Sequence, residues 1–201
     1  MYKEKRAFAE NIEVRSKKGE SVKAGGYAAK FNVLSEDLGG FRERIMPGAF
    51  DDVLDDDVVV LFNHDQNLIL GRTSAGTARI NQDGTGLFYE FDMPNSPLGQ
   101  NLTESLERGD VKQSSFAFSM RAGEERWIED ANGAIIREIV KISRMFDVSP
   151  VVTPAYPDAT VAKRSLEEMQ AAKVEKNDEA IRACQDLANA KLRILDLREH
   201  D

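Results

Sequence analysis

The chain has 201 residues, 41% of them hydrophobic and 31% charged, with a formal net charge of −8. This length suits one medium domain with an appendage and is enough to bury a core. Its longest apolar run, Val58 to Phe62, is far too short for a membrane span, and Met1 to Gly25 has no signal-segment pattern. A single cysteine, Cys184, excludes an internal disulfide framework and a multi-thiolate zinc site, and the acidic balance argues against a nucleic-acid partner.

In chain order, Pro47 to Leu54 reads as a short helix. Val58 to Phe62 reads as a buried strand, being short, β-branched and bounded by Asp and Asn. Ala78 to Ile80 and Leu87 to Phe91 flank an Asn-Gln-Asp-Gly-Thr-Gly turn and predict a hairpin. Ser96 to Arg108 predicts a helix, with Ser96 as cap, Pro97 in the first turn and Gly109 at the exit. Val111 to Met120 reads as a strand. Glu125 to Ile128 and Ala134 to Ile142 flank Asn132-Gly133, whose positive-φ preference predicts a second, tight hairpin. Many short strands and few helices predict a mainly β (α+β) fold, a compact antiparallel barrel with peripheral helices.

Prolines at 154 and 157 break regular structure, and from Ser165 onward there is no Gly or Pro. The expected division is a domain over 1–163 and a helical tail over 164–201. In the tail Ile181, Cys184, Ala188, Leu192 and Leu195, widened by Leu187 and Ile194, form an apolar stripe. That stripe fits a loosely packed solvated helix or a helix that binds a partner or another copy.

Of the two histidines, His200 is penultimate in a polar tail, whereas His64 ends the apolar strand. In Gln113 to Met120 the alternation of side chains places Ser114, Phe116, Phe118 and Met120 on one face and Ser115, Ala117 and Ser119 on the other. The aromatic face belongs in the core, so Ser115 lies on a small-residue face that an extended substrate could approach. A serine needs an adjacent base, which histidine supplies, and the base needs an orienting carboxylate. Phe146 and Val148 share a face, which sends Asp147 to the opposite one; Asp65 is a rival carboxylate, but adjacent strand residues point apart. From pattern alone each of these residues also fits an ordinary half-buried strand. Trp127 reads as hairpin packing, Gly25-Gly26 and Gly39-Gly40 as turns, and Arg72 as either a substrate contact or a surface ion pair.

Several segments, taken in order, carry a resemblance. They are Gly26-Tyr27-Ala28-Ala29-Lys30-Phe31-Asn32, Glu43-Arg44-Ile45-Met46-Pro47-Gly48-Ala49-Phe50, Leu61-Phe62-Asn63-His64-Asp65 and Leu70-Gly71-Arg72-Thr73. Arg108-Gly109-Asp110-Val111, Ser115-Phe116-Ala117-Phe118, Phe146-Asp147-Val148-Ser149 and Thr153-Pro154-Ala155-Tyr156-Pro157-Asp158-Ala159 complete the series. Over roughly residues 26–159 the chain resembles the prohead (procapsid) maturation proteases of tailed bacteriophages, which are related in fold to the herpesvirus assemblins.

The resemblance implies a serine endopeptidase, without metal or organic cofactor, acting inside an assembling procapsid in the host cytoplasm. Its implied substrates are the scaffold or the scaffold-like segment of the major capsid protein, and itself. His64 takes the general-base position and Ser115 the nucleophile position, with Ser114 as the fallback. Assemblins use a second histidine as third member; many phage relatives have an acidic residue before Val-Ser, where Asp147 stands. The tail is implied to be a targeting or self-processed segment. A catalytically inactive scaffolding relative is the main alternative. An unrelated esterase is the other, and the absence of a Gly-x-Ser-x-Gly elbow weighs against it.

Overall fold

The structure, a computed structural model, describes residues 3–8, 12–15, 21–153, 162, 164–171, 174, 175, 178, 179, 181–183 and 185. The chain divides into two compact units, Met1–Ala159 and Thr160–Asp201. In the second, the described residues are helical; Ile181 is half-exposed, and Cys184, Leu187, Ala188, Leu192, Ile194 and Leu195 lie outside the described residues.

The first unit contains twelve described strands: β1 (Lys3–Phe8), β2 (Glu13–Arg15), β3 (Lys23–Lys30), β4 (Arg42–Ile45), β5 (Val59–Phe62), β6 (Asp65–Arg72), β7 (Ala78–Gln82), β8 (Gly86–Asp92), β9 (Gln113–Ser119), β10 (Glu125–Glu129), β11 (Ile135–Ile139) and β12 (Arg144–Val151). One described α-helix, α1 (Pro97–Arg108), stands between β8 and β9. The strands form three sheets, ordered β1-β9-β12-β5-β6, β10-β11-β4 and β2-β3-β8-β7.

The expected mainly β class is what the chain adopts, but the antiparallel barrel is not. None of the three sheets closes on itself, and β5–β12 and β4–β11 pair in parallel. Parallel neighbours need long crossovers, and here the partners lie far apart in sequence, beyond the reach of hairpin patterning.

Local chemistry accounts for the elements read correctly. Ser96 Oγ accepts from Gly99 N at 3.4 Å, and Gly109 leaves α1 in the left-handed conformation at φ 79°. Leu102 and Leu106 bury the inner face of α1. The β7–β8 and β10–β11 hairpins form, although the second is wider than a two-residue turn. Among its loop residues only Gly133 has a positive φ, and the Asp130 carboxylate accepts from Asn132 N and Ala134 N to close the loop.

Pro47 to Leu54 is a run of turns rather than a helix. Its bonds join residues three apart, as from Ala49 N to Met46 O and from Val53 N to Phe50 O, and Gly48 sits at φ 86°. The run still buries Ala49, Phe50 and Val53, with the Phe50 ring 5.7 Å from that of Phe116. The core joins these residues to Phe118, Tyr89, Phe91, Met145 and Val148.

A charged layer lies beside this core. Glu4 and Arg6 of β1 meet Glu43 of β4 and Arg137 of β11, all nearly out of solvent. Arg6 Nε lies 2.5 Å from Glu43 Oε1, and Arg6 Nη2 lies 2.6 Å from Glu4 Oε2. Arg137 Nη1 lies 2.8 Å from both Glu4 Oε2 and Glu43 Oε2, and Arg137 Nε reaches Glu125 Oε2 at 2.5 Å. Trp127, packed edge-on to Phe41, stands beside the Arg137 guanidinium at 6.0 Å. Mutual hydrogen bonding lets these charges remain buried.

Candidate active site

Strand β9 fixes the position of Ser115. Phe116 and Phe118 face the core, and Ser114 joins them there with its hydroxyl 3.0 Å from that of Tyr89. Ser115, Ala117 and Ser119 take the other face, where β12 lies alongside with Ser149 opposite Ser115 and Asp147 opposite Ala117. Register partners share a face, so Ser115, Ser149 and Asp147 converge. This small-residue face is not open to solvent: Ser115, Ala117 and Ser119 are at most 1% exposed.

Asp147 reaches that face through an irregularity the alternation did not foresee. The register slips between Met145 and Asp147, which leaves Phe146 as an extra residue in the strand. Met145 and Val148 are core residues, whereas Phe146 is half-buried and lies against Lys3 and Arg144. Regular alternation from Met145 would send Asp147 into the core. The bulge turns it to the Ser115 face instead.

His64 stands not in the strand but in the two-residue turn joining β5 to β6, with Phe62 opposite Asp65. Asn63 and His64 have φ of 53° and 59°, as a type I′ hairpin turn requires. Asn and His tolerate this left-handed region better than most residues. Asn63 fastens the turn to the end of β12: its N–H donates to Pro150 O at 3.0 Å, and its Oδ1 accepts from Val152 N at 3.0 Å. Asp65 points elsewhere and accepts from Asn67 N and Nδ2, so the rival carboxylate is absent from the cluster.

The result is a linear constellation. Ser115 Oγ lies 2.6 Å from His64 Nε2, and His64 Nδ1 is hydrogen-bonded to Asp147 Oδ1. Ser149 Oγ lies 3.3 Å from His64 Nδ1 and 3.4 Å from Asp147 Oδ1, and Lys3 Nζ donates to Asp147 Oδ2 at 2.8 Å. The His64 and Asp147 side chains are each 4% exposed. Burial pushes the Asp147 carboxyl up, but the bonds and charges of His64 and Lys3 outweigh it and hold the group below its ordinary value.

Beside Asp147 lies a cavity of about 370 Å³, with Val59, Leu61, Ile69 and Phe146 as apolar walls and Lys3, Arg144 and Arg72 among its polar ones. Arg72 is bound to Asp57 at 2.5 Å, an exposed ion pair. Among the described residues no group of three or more His, Cys, Asp and Glu side chains is arranged to hold a metal ion, and no helix is long and apolar enough to cross a membrane.

Sequence reasoning missed Lys3, Asn63 and Ser149. Ser149 carries a usable signal, since it follows Asp147 by two positions on one strand. Asn63 carries a weaker one, as the turn-prone neighbour of the histidine. Lys3 carries none, because its approach depends on the pairing of β1 with β9, more than a hundred residues away.

A serine, an imidazole and a buried carboxylate in line form the hydrogen-bonding chain of a serine hydrolase. The chain belongs to the family described as caudovirus prohead serine protease, whose model matches residues 10–172; it is a serine protease of capsid maturation. Among solved structures it is similar to the bacteriophage T4 capsid assembly protease gp21, at 11% identity and a TM-score of 0.46, over 76% of this chain and 98% of that one. No curated protein sequence matches it.

Proposed function

We propose that the chain is the endopeptidase that cuts the scaffold, or the scaffold-like segment of the major capsid protein, and itself during procapsid maturation. Ser115 Oγ attacks the scissile carbonyl while His64 Nε2 takes its proton. His64 then gives that proton to the leaving amine, and water releases the acyl group from Ser115 by the reverse sequence. Asp147 Oδ1 holds Nδ1–H, which fixes the tautomer and stabilises the imidazolium. Residues 1–163 carry the chemistry; residues 164–201 form a tail that targets the enzyme to the procapsid and is open to self-processing.

The 2.6 Å approach of Ser115 Oγ to an imidazole whose other nitrogen sits on a buried carboxylate carries this reading. Membership of the prohead serine protease family supports the choice of a capsid precursor as substrate. The test is intact mass and gel pattern of the wild type and Ser115→Ala, each expressed with the capsid precursor. The wild type is expected to yield defined fragments, and the variant to lose at least a factor of about 10⁴ in cleavage rate. Fragmentation that persists unchanged in Ser115→Ala refutes the assignment.

A further inference from the structure

β1 is an edge strand of the five-stranded sheet, and β9 lies between it and β12. Lys3 is paired opposite Ser119, yet its ammonium lies 2.8 Å from Asp147 Oδ2 on β12. Its stem therefore crosses β9 on the face that carries Ala117 and Ser119, where the side chains are small enough to leave room. The ammonium also lies 5.1 Å from the centre of the Phe146 ring. On the opposite face of the same strand, Glu4 and Arg6 are locked into the buried ionic cluster. Charge thus pins β1 on both sides.

We propose that Lys3 is a positioning residue of the Ser115–His64–Asp147 constellation, one that occupies the second oxygen of Asp147 and sets a fixed positive charge on the carboxylate against which His64 rests. The inference rests on the protease reading. Asp147 Oδ1 is taken by His64 and Ser149, so Oδ2 has the lysine as its charged partner. Without it, that oxygen loses its charged partner and the carboxylate plane is no longer fixed. Proton transfer from Ser115 places an imidazolium on the same carboxylate that already holds the ammonium, and like charges oppose one another. His64 from the turn, Lys3 from β1 and Ser149 from β12 face Asp147 directly; Arg144, Arg72 and Asp57 face it across the adjoining cavity.

The test reads Ser115 with a fluorophosphonate, whose phosphorus takes the serine oxygen as fluoride leaves, followed by intact mass from pH 4.5 to 9 on the full chain. The wild type is expected to label at Ser115 with an acid limb. In Lys3→Met and Lys3→Gln that limb is expected to move up by about one pH unit, which slows labelling about tenfold below it, with the plateau within about threefold of wild type. Lys3→Arg is expected to restore the wild-type limb.

An unmoved limb in both neutral variants overturns the proposal, as does a plateau loss that simply follows a fall in unfolding temperature. The second neutral variant guards against one that does not fold. A wild type that fails to label at Ser115 overturns the triad reading itself, which separates that failure from a failure of Lys3 alone.

Discussion

Replacing Arg137 by Met tests what holds β1 against the rest of the fold. The Arg137 side chain is 2% exposed, and its guanidinium bonds Glu4 at 2.8 and 3.0 Å, Glu43 at 2.8 Å and Glu125 at 2.5 Å. Met matches most of the stem volume, so the loss is mainly electrostatic. Glu4 and Glu43, each 3% exposed, would share Arg6 as their remaining cation in the cluster. Stranding a buried charge in this way costs about 3–5 kcal/mol. At a urea slope of about 2 kcal/mol/M that is a midpoint lower by about 1.5–2.5 M with the slope unchanged.

The assay is urea unfolding at pH 7.5 and pH 5, in the variant and in the double variant Arg137→Met/Glu43→Gln. The deficit should shrink at pH 5, where the stranded carboxylate takes a proton, and Glu43→Gln should recover part of it at pH 7.5 by removing the excess charge. A loss below about 1 kcal/mol, or an equal loss at both pH values, refutes the view that this network seats β1.

Other outcomes follow from the same geometry. Asn63→Ala removes the acceptor for Val152 N and places a less tolerant residue at positive φ, so cleavage should fall at least about tenfold with a stability loss of about 1–2 kcal/mol. Asn63→Gly relieves the backbone but not the lost bond, and a fully active glycine variant would show that the side-chain bond to Val152 N does not place His64. Among the described residues Ser119 Oγ is buried without a partner, so Ser119→Ala should be neutral or raise stability by up to about 1 kcal/mol in urea melts; a marked loss would reveal a partner for the hydroxyl. Glu4, Glu138 and Asp147 are held below their ordinary carboxyl values in the fold by their cationic neighbours. Their stabilising contribution is complete above the unfolded values near 4.5 and 3.8 and is lost as pH falls through the folded ones. A pH titration of the urea midpoint should therefore decline below about pH 4.5, and a flat profile down to pH 3 would contradict the linkage.

The parts of the fold legible in the sequence are those written in neighbouring residues. The caps at Ser96 and Gly109, the Asp-Gly turn of β7–β8 and the apolar run ending at Phe62 each announce their element within a few positions. β1 does not. Glu4 and Arg6 look like solvent-facing charges until residues 43 and 137 arrive to answer them. The parallel pairings likewise have no local signature, which is why three open sheets read as one antiparallel barrel.

At the candidate site, alternation in β9 separates Ser115 from Ser114 correctly. In β12 the same argument places Asp147 opposite Val148, but it groups Phe146 with Val148 and so misses the bulge that makes the placement work. The proximity of residues 64, 115 and 147 came from chemistry and the family resemblance, since no periodicity links three such separated segments.

Sheet order also sets a timetable for synthesis. His64 meets Ser115 across 51 positions, Asp147 across 83, and Lys3 meets Asp147 across 144. A chain emerging from the ribosome at roughly 5–20 residues per second holds His64 for seconds before Ser115 appears, and Ser115 before the strand that carries Asp147. Pairing strands across such separations is slow compared with forming a helix or a hairpin. On the proposed Ser115–His64–Asp147 reading, the nascent polypeptide stays inert towards its neighbours until almost the whole of the first unit has been made and zipped together. The order of strands in one sheet acts as a delay on the hydrolase it builds.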